Sequence, residues 1–160
     1  MLRKLWEGGL AGLAGSAAMH AYRLGWEFAT EHRARDGIFG FDREADVNSA
    51  RLVYGLIVEK DLSEQDAARA GLGLHYAYGA VLGALYATAG GKDGRPRNMP
   101  ASALAVLLWL CADEIPISLT GVSNPFRKSA ASHLSALAAH LLFAITVRNA
   151  LRAFDSGGAS

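Results

Sequence analysis

The chain is poor in the residues from which disulfides, metal clusters and familiar catalytic motifs are built. Its 160 residues include one cysteine, Cys111, so an internal disulfide and a CxxC motif are both excluded. HExxH and paired ExxH motifs, a nucleotide-binding glycine loop and a nucleophile elbow are also absent from the sequence. These absences argue against an enzyme. Because Cys111 lies within an apolar run, we expect it to be a small buried hydrophobe with no redox role.

Charge is scarce over long stretches of the chain. The 16 Lys and Arg residues and the 15 Asp and Glu residues give a net charge of +1, and they form no concentrated basic surface of the kind that binds nucleic acid. None of them occurs in four runs, 8–22, 70–91, 98–112 and 129–147. The second and fourth runs, of 22 and 19 residues, reach the roughly 20 residues that a helix needs to cross the hydrocarbon layer of a membrane.

These runs predict an all-α fold, an integral-membrane four-helix bundle. It forms a single domain over residues 1–152, followed by a disordered tail over 153–160. The predicted spans are about 6–28, 69–90, 100–120 and 129–150. The first span requires Arg23 to lie near its outer end, and the third requires Asp113 and Glu114 to lie inside the membrane. A soluble four-helix protein with apolar helices is the alternative that run length leaves open.

Two tryptophans favour the membrane interpretation. Trp6 and Trp26 are 20 residues apart, which corresponds to ~30 Å along a helix, the separation of the two aromatic belts of a bilayer. The first residues also resemble a signal peptide, with basic residues followed by an apolar stretch. We rank that interpretation second, because Glu7 interrupts the start and the glycines weaken the apolar region.

The long first loop, residues 30–68, is the main extramembrane segment. Its apolar residues fall mostly at helical spacing and are Val47, Leu52, Val53, Leu56 and Ile57. They predict a short amphipathic helix that lies on the bilayer or against the bundle. Ser63, with Asp66 three residues later, forms an approximate capping box and predicts the start of the helix that enters the second span.

Basic residues in the short loops predict the orientation. They fall on one side of the four spans and are Arg3, Lys4, Lys92, Arg95, Arg97, Arg148 and Arg152. Because basic loops stay in the cytoplasm, we predict a multi-pass protein of the inner membrane with both termini in the cytoplasm. The opposite side carries Arg127 and Lys128 and a loop of mixed charge.

Small residues at four-residue spacing predict where the helices touch. They form one stripe on each of the first two spans: Gly8, Gly12 and Ser16, then Gly71, Gly79 and Gly83. In lipid, small residues let two helix backbones approach closely, and packing replaces the hydrophobic drive. His20 and His75 are in register with these stripes, so we expect both imidazoles to point at neighbouring helices.

Ionisable residues from all four spans are predicted to form one layer, mostly in the outer half of the membrane. The layer consists of His20, Arg23, His75, Asp113, Glu114, His133 and His140. Such groups cost at least ~2.5 kcal/mol each in lipid, so they face the bundle interior, form pairs or line water. Pro116 cannot donate a hydrogen bond to the carbonyl of Ala112, which frees an acceptor beside Asp113 and Glu114. We expect a helix break here and a candidate proton or cation site.

Three functions fit this layer. The first is the handling of protons or of a small ion or solute, by a homo-oligomer or within a larger membrane complex. The second is a metal- or haem-binding redox component. Its candidate metal ligands are His20, His75, Glu114 and His133. The third is a structural or assembly subunit, in which Arg23 pairs with Asp113 or Glu114 and the layer only holds the helices together. No cofactor is assigned, and the lipid bilayer is the expected partner.

The second half of the chain resembles a known family. HYAYGAVLGALYA, the polar pair before Pro116, the turn at 121–125, and His140 in a span that ends in Arg148 and Arg152 are similar to the YagU-like group of small bacterial inner-membrane proteins. The resemblance covers about residues 70–152. It implies a helical protein of the bacterial inner membrane with a suggested link to acid resistance, and it supplies no catalytic residue.

Overall fold

The computed structural model of the chain describes residues 1–30, 43–58, 62–89, 99–114 and 130–157. Every element in these ranges is a helix: α1 (Leu2–Thr30), α2 (Arg43–Val58), α3 (Glu64–Thr88), α4 (Ala101–Leu108), a π-helix (Trp109–Glu114) that continues α4, and α5 (Ala130–Gly157). The all-α prediction is therefore confirmed for the described part of the chain.

Local sequence explains where α3 begins and ends. The Oγ of Ser63 accepts a hydrogen bond from the backbone nitrogen of Asp66 (3.2 Å) and donates one to its carboxylate (2.6 Å), so the predicted helix start with Ser63 as its N-cap is confirmed. At the other end, the Thr88 hydroxyl donates to the carbonyl of Ala84 at 2.8 Å. Two glycines, which are poor helix formers, follow at positions 90 and 91.

The first helix packs lengthwise against the third. Gly8 near the start of α1 meets Gly83 near the end of α3, and Gly12, one turn later in α1, meets Gly79, one turn earlier in α3. The order of these contacts makes the two helices antiparallel. α2, from the long first loop, packs against the outside of this pair through α3.

The first helix also packs against the last, again antiparallel. Asp155 near the end of α5 is close enough to Arg3, at the start of α1, for its charge to act on the guanidinium. Near the middle of both helices, Gly15 packs against Phe143 and Val147. α1 therefore lies between α3 and α5, and α4 packs against α5.

The helices coincide with the predicted spans. α1 contains all of 6–28, and α3 ends two residues before the predicted limit of 69–90. α4 and the π-helix match 100–120 as far as Glu114, and the remainder lies outside the described residues. α5 begins one residue inside 129–150 and extends seven residues beyond it.

Among the described helices, α5 is the one that is both long and apolar enough to cross a membrane, and α4 is a shorter apolar helix. α1 is long enough, but it contains five glycines together with His20 and Arg23, which make it less apolar. α3 likewise contains four glycines and His75. Composition and length alone therefore identify one candidate membrane helix in the described part of the chain.

The last helix continues where the sequence predicts a disordered tail. Residues 153–157 of the predicted tail, 153–160, are helical, and residues 158–160 lie outside the described residues. Phe154 packs against the core beside the buried Leu151, and the Ser156 hydroxyl donates to the carbonyl of Arg152 at 2.9 Å. Apolar contacts continue one turn past the predicted end of the domain, and the helix continues with them.

Many large apolar side chains lie on the outside of the bundle. The largest fully buried side chains are Val147 and Ser16. Exposed large apolar residues occur on α1, α3, α4 and α5 and include Leu10, Leu13, Leu24, Val81, Leu85, Val106, Leu107, Leu134, Leu141 and Ile145. A water-soluble domain buries most of its large apolar side chains. In the described part of this chain, the exposed large apolar side chains outnumber the buried ones, which include Leu104, Phe143 and Leu151.

Two apolar positions differ from expectation. Cys111 is exposed, so the prediction of a small buried hydrophobe is wrong. It lies in the π-helix that follows α4. Apart from α4, this π-helix contacts mainly α5 among the described helices, so much of the π-helix surface is not covered by other helices. On α2, Leu52 and Val53 of the predicted apolar face are exposed and the small Ala50 is buried, while the side chains of Val47, Leu56 and Ile57 lie outside the described residues.

Candidate functional site

The contact between α1 and α3 leaves no room for side chains at its centre. A Cβ on Gly8 would lie 2.6 Å from the carbonyl oxygen of Gly83, and a Cβ on Gly12 would lie 2.7 Å from the carbonyl carbon of Gly79. Glycine is the residue that allows backbones to approach this closely. One turn beyond Gly12, the Oγ of Ser16 occupies the space that a Cβ on Gly79 would take.

An aromatic ring from α5 closes the third side of this contact. The ring of Phe143 lies 2.7 Å from the place of a Cβ on Gly15 and 3.3 Å from that of a Cβ on Gly79. Phe143 is therefore at the junction of α1, α3 and α5. Gly71, the remaining glycine of the α3 stripe, is also buried. The two stripes and Phe143 thus set the distances between α1, α3 and α5 next to the polar residues.

Two of the predicted histidines lie on either side of a tyrosine. The ring centroid of Tyr76 is 6.4 Å from that of His20 on α1 and 5.7 Å from that of His75, its neighbour on α3. His20 is one turn beyond Ser16, and His75 is one turn before Gly79, so both are placed by the close contact just described. The Nε2 atom of His75 is buried. The structure therefore brings His20 and His75 together around Tyr76.

Arg23 is buried on the same side of α1 as His20. It is three residues farther along the helix, and 7% of its surface is exposed. Residues three apart are neighbours on a helix surface. A guanidinium keeps its charge at any physiological pH, so the interior of the bundle contains a permanent positive charge about one turn from the His20 imidazole.

His140 supplies a third imidazole to the interior, from α5. It is 6% exposed, and its Nδ1 lies 2.9 Å from the carbonyl oxygen of Ala136. Because a carbonyl can only accept, Nδ1 carries the proton in this hydrogen bond, and Nε2 is the acceptor nitrogen of the neutral ring. The antiparallel pairing of α1 with α5 places His140 at about the level of His20.

His133 has a ring contact of its own. It is two helical turns, or ~10 Å, from His140 along α5, and its ring packs edge-on against Trp109 at a centroid distance of 6.3 Å. The described contacts therefore group His20 and His75 around Tyr76, with Arg23 about one turn from His20, and place His133 beside Trp109, the first residue of the π-helix.

The acidic pair lies at the end of the π-helix. Asp113 and Glu114 are its last two residues, and their side chains lie outside what the structure describes, as does Pro116. A π-helix shifts the backbone hydrogen bonds from i→i+4 to i→i+5 and is frequent at functional sites. Two residues after its end in the sequence comes Pro116, which cannot donate to the carbonyl of Ala112. The regular α-helix therefore changes to a π-helix at Trp109, and the predicted break at Pro116 lies outside the described residues.

The described residues contain no group of three or more His, Cys, Asp and Glu side chains that is arranged to hold a metal ion. A haem between His20 and His75 would require α1 and α3 to separate by the width of a porphyrin. Ser16, one turn from His20, instead packs against Gly79, one turn from His75. The close packing does not fit a haem at this position, and the predicted ligand Glu114 has a side chain outside the described residues.

Sequence reasoning missed two aromatic residues of the site. Tyr76 contacts both His20 and His75, and Trp109 contacts His133. Tyr76 directly follows His75 in the sequence, in the segment HYAY, but the hydrophobic pattern treats both as ordinary helix residues. An aromatic residue adjacent to a histidine on a predicted span is the signal that could have identified Tyr76. We find no comparable signal for Trp109.

No protein-family model, characterised protein or solved structure matches this chain.

Proposed function

We propose that the chain is a multi-pass protein of the bacterial inner membrane that handles protons or a small ion through an interior polar site. The site consists of His20, Arg23, His75, Tyr76 and His140, with Asp113 and Glu114 as its acidic members. Both termini lie on the cytoplasmic side, and α1, α3, α4 with its π-helix, and α5 are the spans. The suggested link of the YagU-like group to acid resistance agrees with this proposal.

Support for the membrane location comes from the distribution of side chains between the inside and the outside. Exposed leucine, isoleucine and valine side chains are common on α1, α3, α4 and α5, whereas Ser16, Arg23, His140 and several glycines and alanines lie inside, beside a smaller number of large apolar side chains. In lipid there is no penalty for the exposed apolar residues, and small residues at helix contacts provide close packing. In water the same surface would be a large liability for aggregation.

The observation that carries the ion-handling part is the burial of Arg23 and His140 at the level where His20 and His75 meet Tyr76. Ionisable groups inside a membrane are expensive and are by default functional. Imidazoles exchange protons near neutral pH, and a buried guanidinium fixes the local charge. Together these residues can hold a proton or a small ion with defined charge compensation.

Proton flux in liposomes tests the proposal. The purified protein is reconstituted with a pH gradient, and flux is followed with an enclosed pH-sensitive dye. We expect wild-type flux above that of empty liposomes, and its loss in His20→Gln and in His140→Gln. Glu64→Gln, at the exposed start of α3, is the control and should keep the flux. Wild-type liposomes no leakier than empty ones would contradict the proposal.

A structural or assembly subunit is the second candidate function. The backbone contact of Gly12 with Gly79 favours it, because so close a contact is also what a static scaffold requires. Under this alternative the interior histidines are hydrogen-bond donors between helices. Replacing them would then lower thermal stability in detergent and would leave no transport activity to lose, which separates it from the first candidate.

A further inference from the structure

The antiparallel pairing of α1 with α5 brings the start of one helix to the end of the other. The charge of Asp155 acts on Arg3, as noted above. On α5, Arg152 and Arg148 precede Asp155 by one and two turns. Trp6 lies one turn beyond Arg3 on α1. The register therefore places the guanidinium of Arg152 at about the level of the Trp6 indole.

This end of the bundle is positively charged. Four cationic side chains, those of Arg3, Lys4, Arg148 and Arg152, accompany two acidic ones, Glu7 and Asp155. Arg3 is engaged within this set: its Nε lies 2.6 Å from the Glu7 carboxylate, and this hydrogen bond, helped by the charges of Glu7 and Asp155, raises the pKa of Arg3 further.

Besides Arg3, the described side chains of this end include three further cations, Lys4, Arg148 and Arg152. Lys4 and Arg148 are half-buried, and Arg152 is exposed. The opposite end of α3 has the reverse balance, with Glu64 and Asp66 against Arg69, which lies 3.7 Å from Asp66. Among the described side chains, the positive charge is therefore concentrated at the α1–α5 end.

Exposed apolar residues also occur at this end of α1. Trp6 is 71% exposed, and Leu2, Leu5 and Leu10 are also exposed on α1. A tryptophan belongs at the boundary between headgroups and hydrocarbon, and long basic side chains reach from that boundary toward water. The surface thus combines cations for phosphate with exposed apolar side chains for acyl chains.

We propose that the α1–α5 end is a binding surface for anionic phospholipid headgroups. Lys4, Arg148 and Arg152 contact the phosphate, and Trp6 lies against the adjoining acyl chains. An arginine can bind a phosphate with two parallel hydrogen bonds, which favours a defined headgroup position. The inference rests on the membrane location proposed above and is independent of ion handling, because none of these residues belongs to the interior polar site.

Lipid binding in detergent solution tests the inference. Retained phosphatidylglycerol is measured by native mass spectrometry, and its effect on melting temperature is compared with those of phosphatidylcholine and inorganic phosphate. We expect phosphatidylglycerol alone to bind and to raise the melting temperature. The variant Arg148→Gln/Arg152→Gln should lose about fivefold in affinity for each removed charge. The matched control, Arg51→Gln/Arg69→Gln, removes two exposed arginines outside this end and should bind like the wild type.

Equal binding of phosphatidylcholine, equal stabilisation by inorganic phosphate, or equal affinity of the two double variants would overturn the inference. The melting temperature of each variant without lipid shows whether its fold is intact, and Lys4→Gln provides an independent variant on α1. Absence of proton flux in liposomes, with charge-dependent lipid binding preserved, would reject ion handling and keep the lipid surface. The two proposals therefore fail separately.

Discussion

Gly12 of α1 and Gly79 of α3 are in backbone contact, since a Cβ on Gly12 would lie 2.7 Å from the carbonyl carbon of Gly79. We predict that Gly12→Ala and Gly79→Ala each destabilise the bundle by about 2 kcal/mol, because overpacking forces the backbones apart. Gly73→Ala is the control, as no described atom lies within 4 Å of its Cβ position. Thermal unfolding in detergent measures all three. Equal melting temperatures for all three variants would show that α1 and α3 do not touch here.

Phe143 should be the side chain on which the junction of three helices depends. It is 5% exposed and packs against Gly15 and Gly79, and glycines cannot move a side chain into the space that its loss creates. Phe143→Ala should therefore cost about 3 to 5 kcal/mol. Leu141→Ala, two residues earlier on the exposed face of α5, should cost much less in detergent. A smaller loss for Phe143→Ala than for Leu141→Ala would invert the assignment of inside and outside.

Labelling of Cys111 should show whether water or lipid surrounds the π-helix that continues α4. Cys111 is exposed on the protein surface and is the only cysteine of the chain, so no other thiol interferes. If lipid covers this surface, a water-soluble maleimide should leave Cys111 unmodified in liposomes and modify it after denaturation, because the reaction requires the thiolate in water. Ser156→Cys, in a Cys111→Ser background, is the water-facing control. Rapid labelling of Cys111 in sealed or unsealed liposomes would show that α4 faces water.

Asp113 and Glu114 should respond differently to neutralisation. Adjacent residues of a helix point in different directions, so one acid is expected to face the interior histidines and the other to pair with Arg23 or lie beside the break at Pro116. Replacing the acid that faces the interior with Asn or Gln should abolish proton flux and leave the fold intact. At the other acid, the same replacement should mainly lower the melting temperature, because a buried partner would lose its counter-charge. Glu64→Gln, at the exposed start of α3, is the control for both measurements.

If the wild-type protein shows neither flux nor a bound ion, and both variants are only less stable, the two acids have a structural role. The comparison requires both the melting temperature and the flux for each variant. Either measurement alone leaves a loss of function indistinguishable from a loss of fold.

Helix positions can be predicted from this sequence because charge interrupts it so regularly. The charge-free runs at 8–22, 70–91 and 129–147 each lie within or nearly within one helix. The start of α3 is also predictable, since Ser63 and Asp66 form a local hydrogen-bonded cap that needs no distant residue. The end of α5 is not, because the contact of Phe154 with the core depends on which helices lie beside it.

The site is less predictable than the helices, because it also depends on which helices lie side by side. Depth along a span can be estimated from residue number, but depth alone groups His133 with His140 and cannot reveal that His133 packs against Trp109. The placement of Tyr76 near both His20 and His75 depends on the register of α1 against α3. The glycine spacing indicates a helix contact, yet it does not specify the partner helix or the insertion of Phe143 from α5.

The close fit between α1 and α3 has a mechanical consequence. Glycine backbones are in contact and the Ser16 hydroxyl lies against Gly79, so sliding by one residue would bring a larger side chain into the Gly12–Gly79 contact. Packed surfaces of this kind are not continuously deformable. The α1–α3 pair therefore resists sliding as a rigid unit. α4 and its π-helix lack this constraint in the described structure, and the backbone hydrogen bonds of the π-helix already depart from the α-helical pattern.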